Sequence, residues 1–523
     1  MISLRQFCFP IQIALLLLAQ TACADTTFVA PAQANAETAD PNTDPIFTQQ
    51  ADCVDFINEN PQRVTCGFIE LPVNHDEPAK GTVTLPMLIA GQTRSLTATP
   101  SSKAILIPGG GGPGASIGFG LAYRSNEYLS FYDSLRSAGF DLVILDQRGA
   151  GFAKPRLNCP ETVAAFKDSV AEKQTFIDSL KTYRTSLDDC RTRLVSKNIS
   201  LQDFNTTQSA KDYLSTMDKL PYQWWGVLAT SYATVIAQEM QLINPSIFDR
   251  IVLDSPVAID YQRPFTYELT IASLERILTV CEITRRCNNK YGDIKTRFHD
   301  VLTRLKQQPA SIDIVVYNIE NNARKTNLQV SDSTLLDMLI LFAYSNFGIT
   351  EIPWIINDLH EGGTSGLKKL ATEYWHQNSD LEFASALSWM IHCKERQPME
   401  ETYLSRHPES YNGFSEISKI AFDQERLICS DWSKQPDNNT LKNKLISAET
   451  LIIAGDLDPV INRDDIDNTS DNFLNKQVMI LPGTGHSVWF QSTCTRQNVA
   501  AFFSNQNIDG ALPECKDGLS RFR

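Results

Sequence analysis

The chain has 523 residues, of which 42% are hydrophobic and 21% charged, so it is long enough for one large domain with an insertion or for two or three domains. This composition is ordinary for a soluble globular protein. The formal net charge of −14 argues against a nucleic acid or an anionic membrane as partner, because neither attracts an acidic surface.

The beginning of the chain, residues 1–24, has the pattern of a signal peptide. Residues 11–19 form a mostly apolar run that is too short to span a membrane as a stable helix. Ala22-Cys23-Ala24 fits the small-x-small cleavage pattern. An alternative keeps Cys23 as a lipidated N-terminus, but Gln20 stands where a lipoprotein signal prefers an aliphatic residue. We favour simple cleavage and export to the periplasm or the medium, with a lipid anchor at Cys23 as the alternative.

Residues 25–50 are rich in Ala, Thr, Asp, Asn and Pro with little periodicity, which predicts a disordered linker. Two runs, from Gly67 and from Gly81 to about Ala90, are typical of strands. No later stretch is apolar for long enough to form a transmembrane helix.

Short apolar runs that close on polar or glycine-rich residues recur along the chain. Such runs are typical of central parallel strands buried on both faces. Helix-like segments lie between them, for example from Ser209, which is a candidate helix cap. This alternation predicts an α/β fold with a mostly parallel central sheet. The runs begin at Ala104, Asp141, Trp224, Asp249, Thr450 and Gln477.

Residues 259–446 separate the last two predicted core strands from the others. This stretch has amphipathic helical patterns, for example from Ser331 and from Ile352. Because the sheet pattern resumes afterwards, we predict a large helical cap inserted before the last two core strands, not a tandem domain. The predicted organisation is a signal peptide (1–24), a linker (25–50), a core (51–258 and 447–523) and a cap (259–446).

Cysteine content agrees with export. Beyond Cys8 and Cys23, ten of the 12 cysteines remain, and an even number in an oxidising compartment predicts disulfides. Connectivity cannot be deduced from sequence, so pairing of sequence neighbours is a working hypothesis. A metal site has less support, because C-x-x-C is absent and the seven histidines are scattered. The hypothetical pairs are Cys53 with Cys66, Cys159 with Cys190, Cys281 with Cys287, Cys393 with Cys429, and Cys494 with Cys515.

Three candidate catalytic residues follow predicted core strands. Ser231 lies where an apolar strand turns into a helix, and Asp458 and His486 follow the last two apolar runs. A serine hydroxyl needs a base to become a good nucleophile, an imidazole accepts its proton, and a buried carboxylate fixes the imidazole tautomer. Open α/β sheets place their sites at the carboxyl ends of strands. The order Ser, acid, His therefore predicts the triad of an α/β-hydrolase.

Each of these residues also has an ordinary structural interpretation. A serine after an apolar strand is more often a helix cap, an Asp before Pro is often a turn residue, and a single His is more often a loop residue than a base. Their order and their positions at strand ends together favour the catalytic interpretation.

A glycine-rich turn, Pro108–Ser116, follows the first buried strand. Such a turn can aim backbone N–H groups at a developing oxyanion, together with the N–H of the residue after the nucleophile. We therefore predict an oxyanion hole formed by Tyr232 with Gly111 or Gly112. The alternative is a phosphate-binding loop, but the turn lacks the lysine and Ser/Thr of a P-loop and does not match G-x-G-x-x-G with a following acid.

Six sequence blocks resemble those of the proline iminopeptidase and tripeptidyl aminopeptidase family. The C-terminal run that ends at Cys515 resembles the terminal segment of the tripeptidyl aminopeptidase branch. The resemblance covers most of the chain from about Cys66 and is weakest in the cap. "DQRG" beside the glycine–proline turn is quite specific, whereas many α/β-hydrolases share the triad blocks. The blocks are "GGGGPGAS", "DQRGAG", "ATSYAT", "VLDSPV", "AGDLDPV" and "GTGHSVW".

The resemblance implies an α/β-hydrolase fold and a secreted serine exopeptidase that removes short units from free peptide N-termini through an acyl-enzyme on Ser231. In such enzymes the cap usually carries carboxylates that hold the α-ammonium of the substrate. By position, "HCKERQP" from His392 nominates Glu395 for this role, and a solvated surface glutamate is the alternative. The expected partner is a peptide with a free N-terminus, and triad chemistry needs no metal or other cofactor.

The sequence departs from the family pattern in two places. The glycine turn of the family usually begins with histidine or another polar residue, and Gly110 stands there. The two elbow glycines of G-x-S-x-G are Ala229 and Ala233, which add a methyl group each where strand and helix pass closely. Two such changes leave a lowered rate or a dead site as the alternative. All three triad residues are retained, however, so we predict an active elbow.

Two other functions remain open at this stage. An esterase or lipase-like hydrolase would use the same triad with an apolar acyl pocket under the cap. A non-catalytic binding protein would account for Ala229 and Ala233. Blocking the N-terminus of the substrate separates a peptidase from an esterase, and fluorophosphonate labelling of Ser231 would count against the binding protein.

Overall fold

The computed structural model describes residues 47–49, 64–91, 101–116, 126–317, 323–433, 445–505, 513–517 and 522. The predicted signal peptide, most of the predicted linker and Cys53 lie outside these residues. Residues 47–49 form a strand that pairs antiparallel with the next one, so the linker prediction is wrong for these three residues.

A nine-stranded sheet runs through the molecule in the order β1-β2-β3-β5-β4-β6-β7-β10-β11. The first three strands are antiparallel to their neighbours, and the six from β5 to β11 are parallel. This arrangement confirms the predicted α/β fold with a mostly parallel sheet. The strands within the described residues are β1 (Phe47–Gln49), β2 (Val64–Pro72), β3 (Thr82–Ala90), β4 (Lys103–Pro108), β5 (Asp141–Leu145), β6 (Trp224–Thr230), β7 (Arg250–Asp254), β8 (Ala310–Tyr317), β9 (Ala323–Val330), β10 (Glu449–Gly455) and β11 (Lys476–Leu481).

Helices cover both faces of the sheet. The helices of the core are α1 (Asn126–Ser130), α2 (Asp133–Ser137), α3 (Pro160–Ala171), α4 (Phe176–Ser196), α5 (Thr206–Asp218), α6 (Ala233–Ile243), α17 (Arg463–Asp471), α18 (Val488–Gln491) and α19 (Thr493–Phe503).

The central strands are continuously apolar because consecutive side chains point to opposite faces and both faces are covered. In β4, Leu106 belongs to a core cluster with Ile236 of α6, whereas Ile105 belongs to a second cluster with Phe503 of α19. Every residue of β5 and β7 is buried. The sheet therefore has one apolar core on each face.

Residues 255–448, called the insertion below, connect β7 to β10. Most of the insertion is helical, as the sequence predicts, but β8 and β9 form an antiparallel hairpin within it. Alternate residues of this hairpin, including Ile312 and Ile314, are buried. The helices of the insertion are α7 (Tyr267–Ile283), α8 (Arg285–Tyr291), α9 (Ile294–Gln307), α10 (Asp332–Phe342), α11 (Asn346–His360), α12 (Ser365–Asn378), α13 (Ser385–Ile391), α14 (Gln397–Arg406), α15 (Pro408–Gly413) and α16 (Glu416–Trp432).

Two predicted helix starts have different outcomes. Ser331 caps α10, because its hydroxyl accepts the N–H of Thr334 at 3.2 Å. Ser209 is not a cap: α5 begins three residues earlier, and the Asn205 side chain accepts the N–H of Gln208 at 2.9 Å. Asn and Ser are equally good N-caps, so composition alone did not separate the two candidates.

Four of the five hypothetical cysteine pairs are disulfides in the structure: Cys159–Cys190, Cys281–Cys287, Cys393–Cys429 and Cys494–Cys515. The fifth pair includes Cys53, which lies outside the described residues. Within the described part of the chain, none of the helices combines the length and the apolar character that crossing a membrane requires.

Candidate active site

Ser231 occupies a sharp turn between β6 and α6. Its φ angle is +57°, a left-handed conformation that a non-glycine residue rarely adopts. Two backbone hydrogen bonds hold the turn: Ser231 N–H donates to the Asp254 carbonyl at 2.9 Å, and Ala233 N–H donates to the Gly110 carbonyl at 2.9 Å. A strained serine at a strand-to-helix turn is the geometry of a nucleophile elbow.

The two alanines that stand at the elbow positions are both buried. Ala229 is fully buried in β6, and Ala233 is buried at the start of α6. Gly110 lies against this helix start: a Cβ there would come 3.4 Å from the Ala233 Cβ and 3.5 Å from Tyr232 Cδ1. Gly110 also has a φ of +146°, so a side chain at this position would be strained. Gly110 therefore packs beside the methyl group of Ala233.

Asp458 and His486 form a buried hydrogen-bonded pair. The His486 Nδ1–H donates to Asp458 Oδ2 at 2.7 Å, and the two residues are 3% and 0% exposed. Asp458 Oδ1 accepts the backbone N–H groups of Val460 and Ile461, both at 2.9 Å. Because Nδ1 carries the proton toward the carboxylate, Nε2 is the nitrogen that can accept one.

The surroundings of His486 favour its protonated form. Burial by itself lowers the pKa of His486, but the charge and hydrogen bond of Asp458 and the charge of Asp254 raise it, and the net direction is upward. An imidazole with a raised pKa is a stronger base, which suits a group that takes a proton from a hydroxyl.

Asp254 supports both halves of the candidate site, and our sequence analysis did not assign it a role. Its carboxylate is fully buried and accepts the N–H groups of Val488 at 2.9 Å and Trp489 at 3.1 Å, just after His486. Burial raises the pKa of Asp254 to about 7, although these hydrogen bonds lower it. The sequence around Asp254 shows only a strand that ends in an aspartate, and that pattern does not reveal a contact 235 residues away.

The histidine loop has further supports. The Tyr344 carbonyl accepts the His486 N–H at 3.0 Å, and the Tyr344 ring lies edge-on to the imidazole with the two centroids 5.0 Å apart. Ser487 has a φ of +61°, and its N–H donates to the Ser255 hydroxyl at 2.9 Å. Two residues at the candidate site, Ser231 and Ser487, thus have left-handed backbone conformations.

The structure does not join Ser231 and His486 by a hydrogen bond: among the described residues, the Ser231 hydroxyl has no hydrogen-bond partner. Catalytic hydrogen bonds in unliganded enzymes are often long and shorten only when substrate binds. The structure therefore brings Asp458 and His486 into contact and leaves Ser231 hydrogen-bonded to Asp254 through its backbone alone.

The candidate oxyanion donors lie beside the elbow. The N–H groups of Gly111, Gly112 and Tyr232 donate to no acceptor in the described part of the chain. Gly110 connects this turn to the elbow, because its carbonyl accepts the Ala233 N–H. Unpaired N–H groups at the start of a helix are suited to stabilise a negative oxygen.

Glu395 lies in the insertion but contacts the core. Its Oε1 accepts the Thr206 N–H at 2.8 Å and its Oε2 accepts the Thr206 hydroxyl. The Thr206 oxygen in turn contacts the Tyr232 hydroxyl at 2.7 Å, and Tyr232 follows Ser231 directly. Glu395 is half-buried. The structure thus connects Glu395 to the elbow through two side chains.

Three groups of described side chains have the donor types of a metal site. Two of them, Cys159–Glu161–Cys190 and Cys494–Cys515–Asp517, include sulfurs that are already in disulfides and so are not thiolate ligands. The third consists of His392, Glu400 and Glu425 in the insertion.

Two family models match this chain. The model described as "alpha/beta hydrolase fold" matches residues 105–272, and the model described as "TAP-like protein" matches residues 417–515. The first match contains the elbow at Ser231, and the second contains the Asp458–His486 pair.

Several known proteins are similar to this chain. "Putative hydrolase YuaR" of Escherichia coli (strain K12) is 21% identical over 447 residues, which cover 82% of this chain and 83% of that protein. The structure of a proline iminopeptidase from Mycobacterium smegmatis is 10% identical with a TM-score of 0.37, covering 84% of this chain and 97% of that one. A serine hydrolase from the polyaromatic-hydrocarbon-degrading bacterium Cycloclasticus zankles is 11% identical with a TM-score of 0.37, covering 85% and 100%.

Proposed function

We propose that this chain, which has the α/β-hydrolase fold and a TAP-like C-terminal segment, is an exported serine peptidase that removes short units from the N-termini of peptides. The observations that support the proposal are the strained Ser231 at the end of β6 and the buried Asp458–His486 pair, whose members follow β10 and β11 of the same sheet. These three side chains have the types and chain order of a hydrolase triad.

In the proposed reaction, the Ser231 oxygen attacks the scissile carbonyl carbon and its proton passes to His486 Nε2. The tetrahedral intermediate collapses as the C–N bond breaks, and the leaving amine takes the proton from Nε2. Water then attacks the acyl-enzyme, His486 removes its proton, and the ester bond to Ser231 breaks with return of that proton to the serine oxygen. Asp458 holds the imidazole tautomer and stabilises the imidazolium formed in each half.

The negative oxygen of each tetrahedral intermediate would be stabilised by the N–H of Tyr232 and by Gly111 or Gly112. Their freedom from other acceptors supports this role, because a donor that is already paired must break a bond first. Removing one such donor typically costs a factor of about 10²–10³ in kcat.

Glu395 is the proposed site for the α-ammonium of the substrate. It projects from the insertion to the residue pair Thr206–Tyr232, and Tyr232 is adjacent to the nucleophile. A half-buried carboxylate that is linked to the elbow through Thr206 and Tyr232 suits an enzyme that binds a free N-terminus and releases a short unit from it.

An esterase is the second candidate function. The observation in its favour is that both carboxylate oxygens of Glu395 are already hydrogen-bonded to Thr206. If those bonds persist when substrate binds, Glu395 is a structural acceptor and the enzyme has no requirement for a free amine.

Export is part of the proposal and is supported by the four disulfides, which persist in oxidising compartments. Residues 1–24 would be removed as a signal peptide, with lipidation of Cys23 as the alternative.

The test is hydrolysis of a matched substrate panel by purified mature protein and by Ser231→Ala. The panel contains free and N-blocked prolyl, alanyl and tripeptidyl chromogenic amides and one short-chain ester. Turnover of the free-amine amides alone, lost in Ser231→Ala, is the expected result and gives the length of the released unit. Ester cleavage without amide cleavage would replace the peptidase by the esterase, and silence across the panel would contradict both.

A further inference from the structure

A cluster of potential ligands lies in the insertion, outside the proposed triad. One donor atom each from His392, Glu400 and Glu425 lies within 4.8 Å of the other two. The donors are one imidazole nitrogen and two carboxylate oxygens. His392 and Glu425 are in direct contact, with Nε2 and Oε1 2.5 Å apart.

Glu400 makes this cluster more than a surface ion pair. It is only 3% exposed, and although Gln262 donates a hydrogen bond to the carboxylate, its Oε2 has no hydrogen-bond partner among the described residues. A buried carboxylate oxygen without a partner is costly, and a second carboxylate close by adds repulsion. A cation placed between the two carboxylates would remove both costs.

Arg396 is the permanently charged cation of this neighbourhood, but within the described residues it donates no hydrogen bond to the unpaired Glu400 oxygen. Its Nη2 donates to Gln262 Oε1, and within the described residues no hydrogen bond joins it to Glu400 or Glu425. The charged groups that face the cluster are His392, Arg396, Glu400 and Glu425. The two carboxylates and the one guanidinium give the cluster a net negative charge when the imidazole is neutral.

A disulfide and a continuous helical segment hold the parts of the chain that carry the three donors. His392 begins a π-helical turn, His392–Arg396, which continues directly into α14 with Glu400. Glu425 lies on α16. The Cys393–Cys429 disulfide joins these two segments one residue from His392 and one helical turn from Glu425. Single π-helical turns occur often at functional sites, and cross-linked elements hold donors in place before an ion arrives.

We propose that His392, Glu400 and Glu425 form a binding site for one divalent transition-metal ion, with Zn²⁺ as the best-suited ion. One nitrogen and two carboxylate oxygens suit zinc, which takes such ligands at about 2.0–2.2 Å and leaves a fourth position for water. Ligand atoms around a tetrahedral ion of that size lie roughly 3.3 Å apart, so entry of the ion separates His392 Nε2 from Glu425 Oε1 by less than about 1 Å. Both side chains are partly exposed, which gives the ion a path from solvent.

The site goes beyond the proposed peptidase chemistry, because none of its three donors touches the triad in the described structure. Its effect would be to fix the π-helical turn, which also carries Glu395 three residues after His392. Metal binding can therefore be measured without any turnover, and its failure would leave the proposed hydrolase activity unaffected.

The experiment is equilibrium dialysis of the mature protein against ZnCl₂, followed by metal analysis and by X-ray absorption at the zinc edge. We expect one zinc per chain with a shell of nitrogen and oxygen ligands at about 2.0–2.1 Å. Glu400→Gln and His392→Ala should each weaken binding by about 10–100-fold. The matched control is the exposed pair His407 and Glu409, which is joined at 3.3 Å: His407→Ala with Glu409→Gln should bind zinc as the parent does.

Three results of the zinc experiment itself would overturn the site. They are no zinc retained by the folded parent, a sulfur shell around the zinc, or binding that the cluster variants and the control variant change equally. If Glu400→Gln fails to fold, Glu425→Gln replaces it, because Glu425 is partly exposed and tolerates the change better. A free-amine dipeptide that raises the melting temperature where zinc does not, with the same dependence on Glu400, would show an ammonium site and overturn the metal.

Discussion

The backbone carbonyl of Asp254 accepts the N–H of Ser231 at 2.9 Å. The same aspartate uses its carboxylate to hold the backbone of Val488 and Trp489, which follow the candidate base. One residue at the end of β7 therefore positions the proposed nucleophile and the proposed base together. We assign Asp254 as a positioning residue, because its hydrogen bonds to Ser231, Val488 and Trp489 all go to backbone N–H groups.

The first prediction concerns Asp254→Asn. Asparagine retains one oxygen acceptor but turns an NH₂ group toward a backbone N–H, which displaces the loop after His486. Displacement by about 1 Å costs roughly 10²-fold in rate, so we expect kcat to fall by about that factor with a small change in KM. Stopped-assay kinetics and the pH profile of kcat measure the effect.

The control is Asp249→Asn. In the parent, the Asp249 carboxylate accepts the backbone N–H of Trp225 at 3.0 Å, near the opposite end of β7. This variant should reduce stability without changing the pH profile. Equal losses of kcat in the two variants would show that Asp254 is merely structural.

The second prediction concerns the pH dependence of turnover. His486 must be neutral to accept a proton, and the charges of Asp458 and Asp254 raise its pKa above the ordinary 6.5. The acid limb of kcat/KM should therefore have its midpoint above 6.5 and activity should fall below it. Asp458→Asn should lower the rate by about 10⁴-fold and move the limb to lower pH. An acid-limb midpoint at or below pH 6.5 in the parent would contradict the raised pKa of His486.

The third prediction concerns stability. Burial raises the pKa of Asp337 to about 7 from 3.8, so the folded protein binds more protons than the unfolded chain between these values. Stability should therefore fall as pH rises through this window. Asp337→Asn keeps an oxygen that can accept the Tyr267 hydroxyl, now at 3.2 Å, and should raise the free energy of unfolding at pH 8 more than at pH 5.

Urea unfolding at the two pH values measures this difference, with the exposed Asp300→Asn as the control that should leave it unchanged. If the free energy of unfolding of Asp337→Asn changes with pH as it does in the parent, the Asp337 carboxyl is solvated and titrates in the ordinary range.

The fourth prediction concerns Glu395. Glu395→Gln keeps an oxygen for the Thr206 N–H and removes the negative charge. Losing a charged hydrogen bond to an ammonium should raise KM for free-amine amides by about 10–100-fold, while ester kinetics stay unchanged. The exposed Glu409→Gln is the control. An equal loss on amides and esters would show that Glu395 acts only by holding Thr206 and the elbow.

Much of the fold could be predicted because the information is local. Continuous apolar runs that end in turn residues predict buried parallel strands, and Ser231, Asp458 and His486 each follow such a run. The hairpin β8–β9 was missed although Ile312, Ile314 and Val316 alternate in the sequence, because amphipathic helices dominate the surrounding stretch. A stricter count of period-two alternation would have found it.

The contacts of the candidate site could not be predicted because they join distant parts of the chain. Glu395 and Thr206 are 189 residues apart, and Asp254 and Trp489 are 235 residues apart. Neither Asp254 nor Thr206 belongs to a sequence motif from which its contact partner could be predicted. Only the packing of the insertion and of the histidine loop against the sheet brings these side chains together.

The most direct measurement is labelling of the mature protein with a fluorophosphonate, followed by intact mass and peptide mapping. The account predicts one adduct per chain, located on Ser231 and absent from Ser231→Ala, with the surface variant Ser246→Ala labelled as the parent is. Labelling should be fastest above the pKa of His486, where the base is neutral. A folded protein that stays unlabelled, or an adduct on another serine such as Ser255, would contradict the assignment of Ser231 as nucleophile.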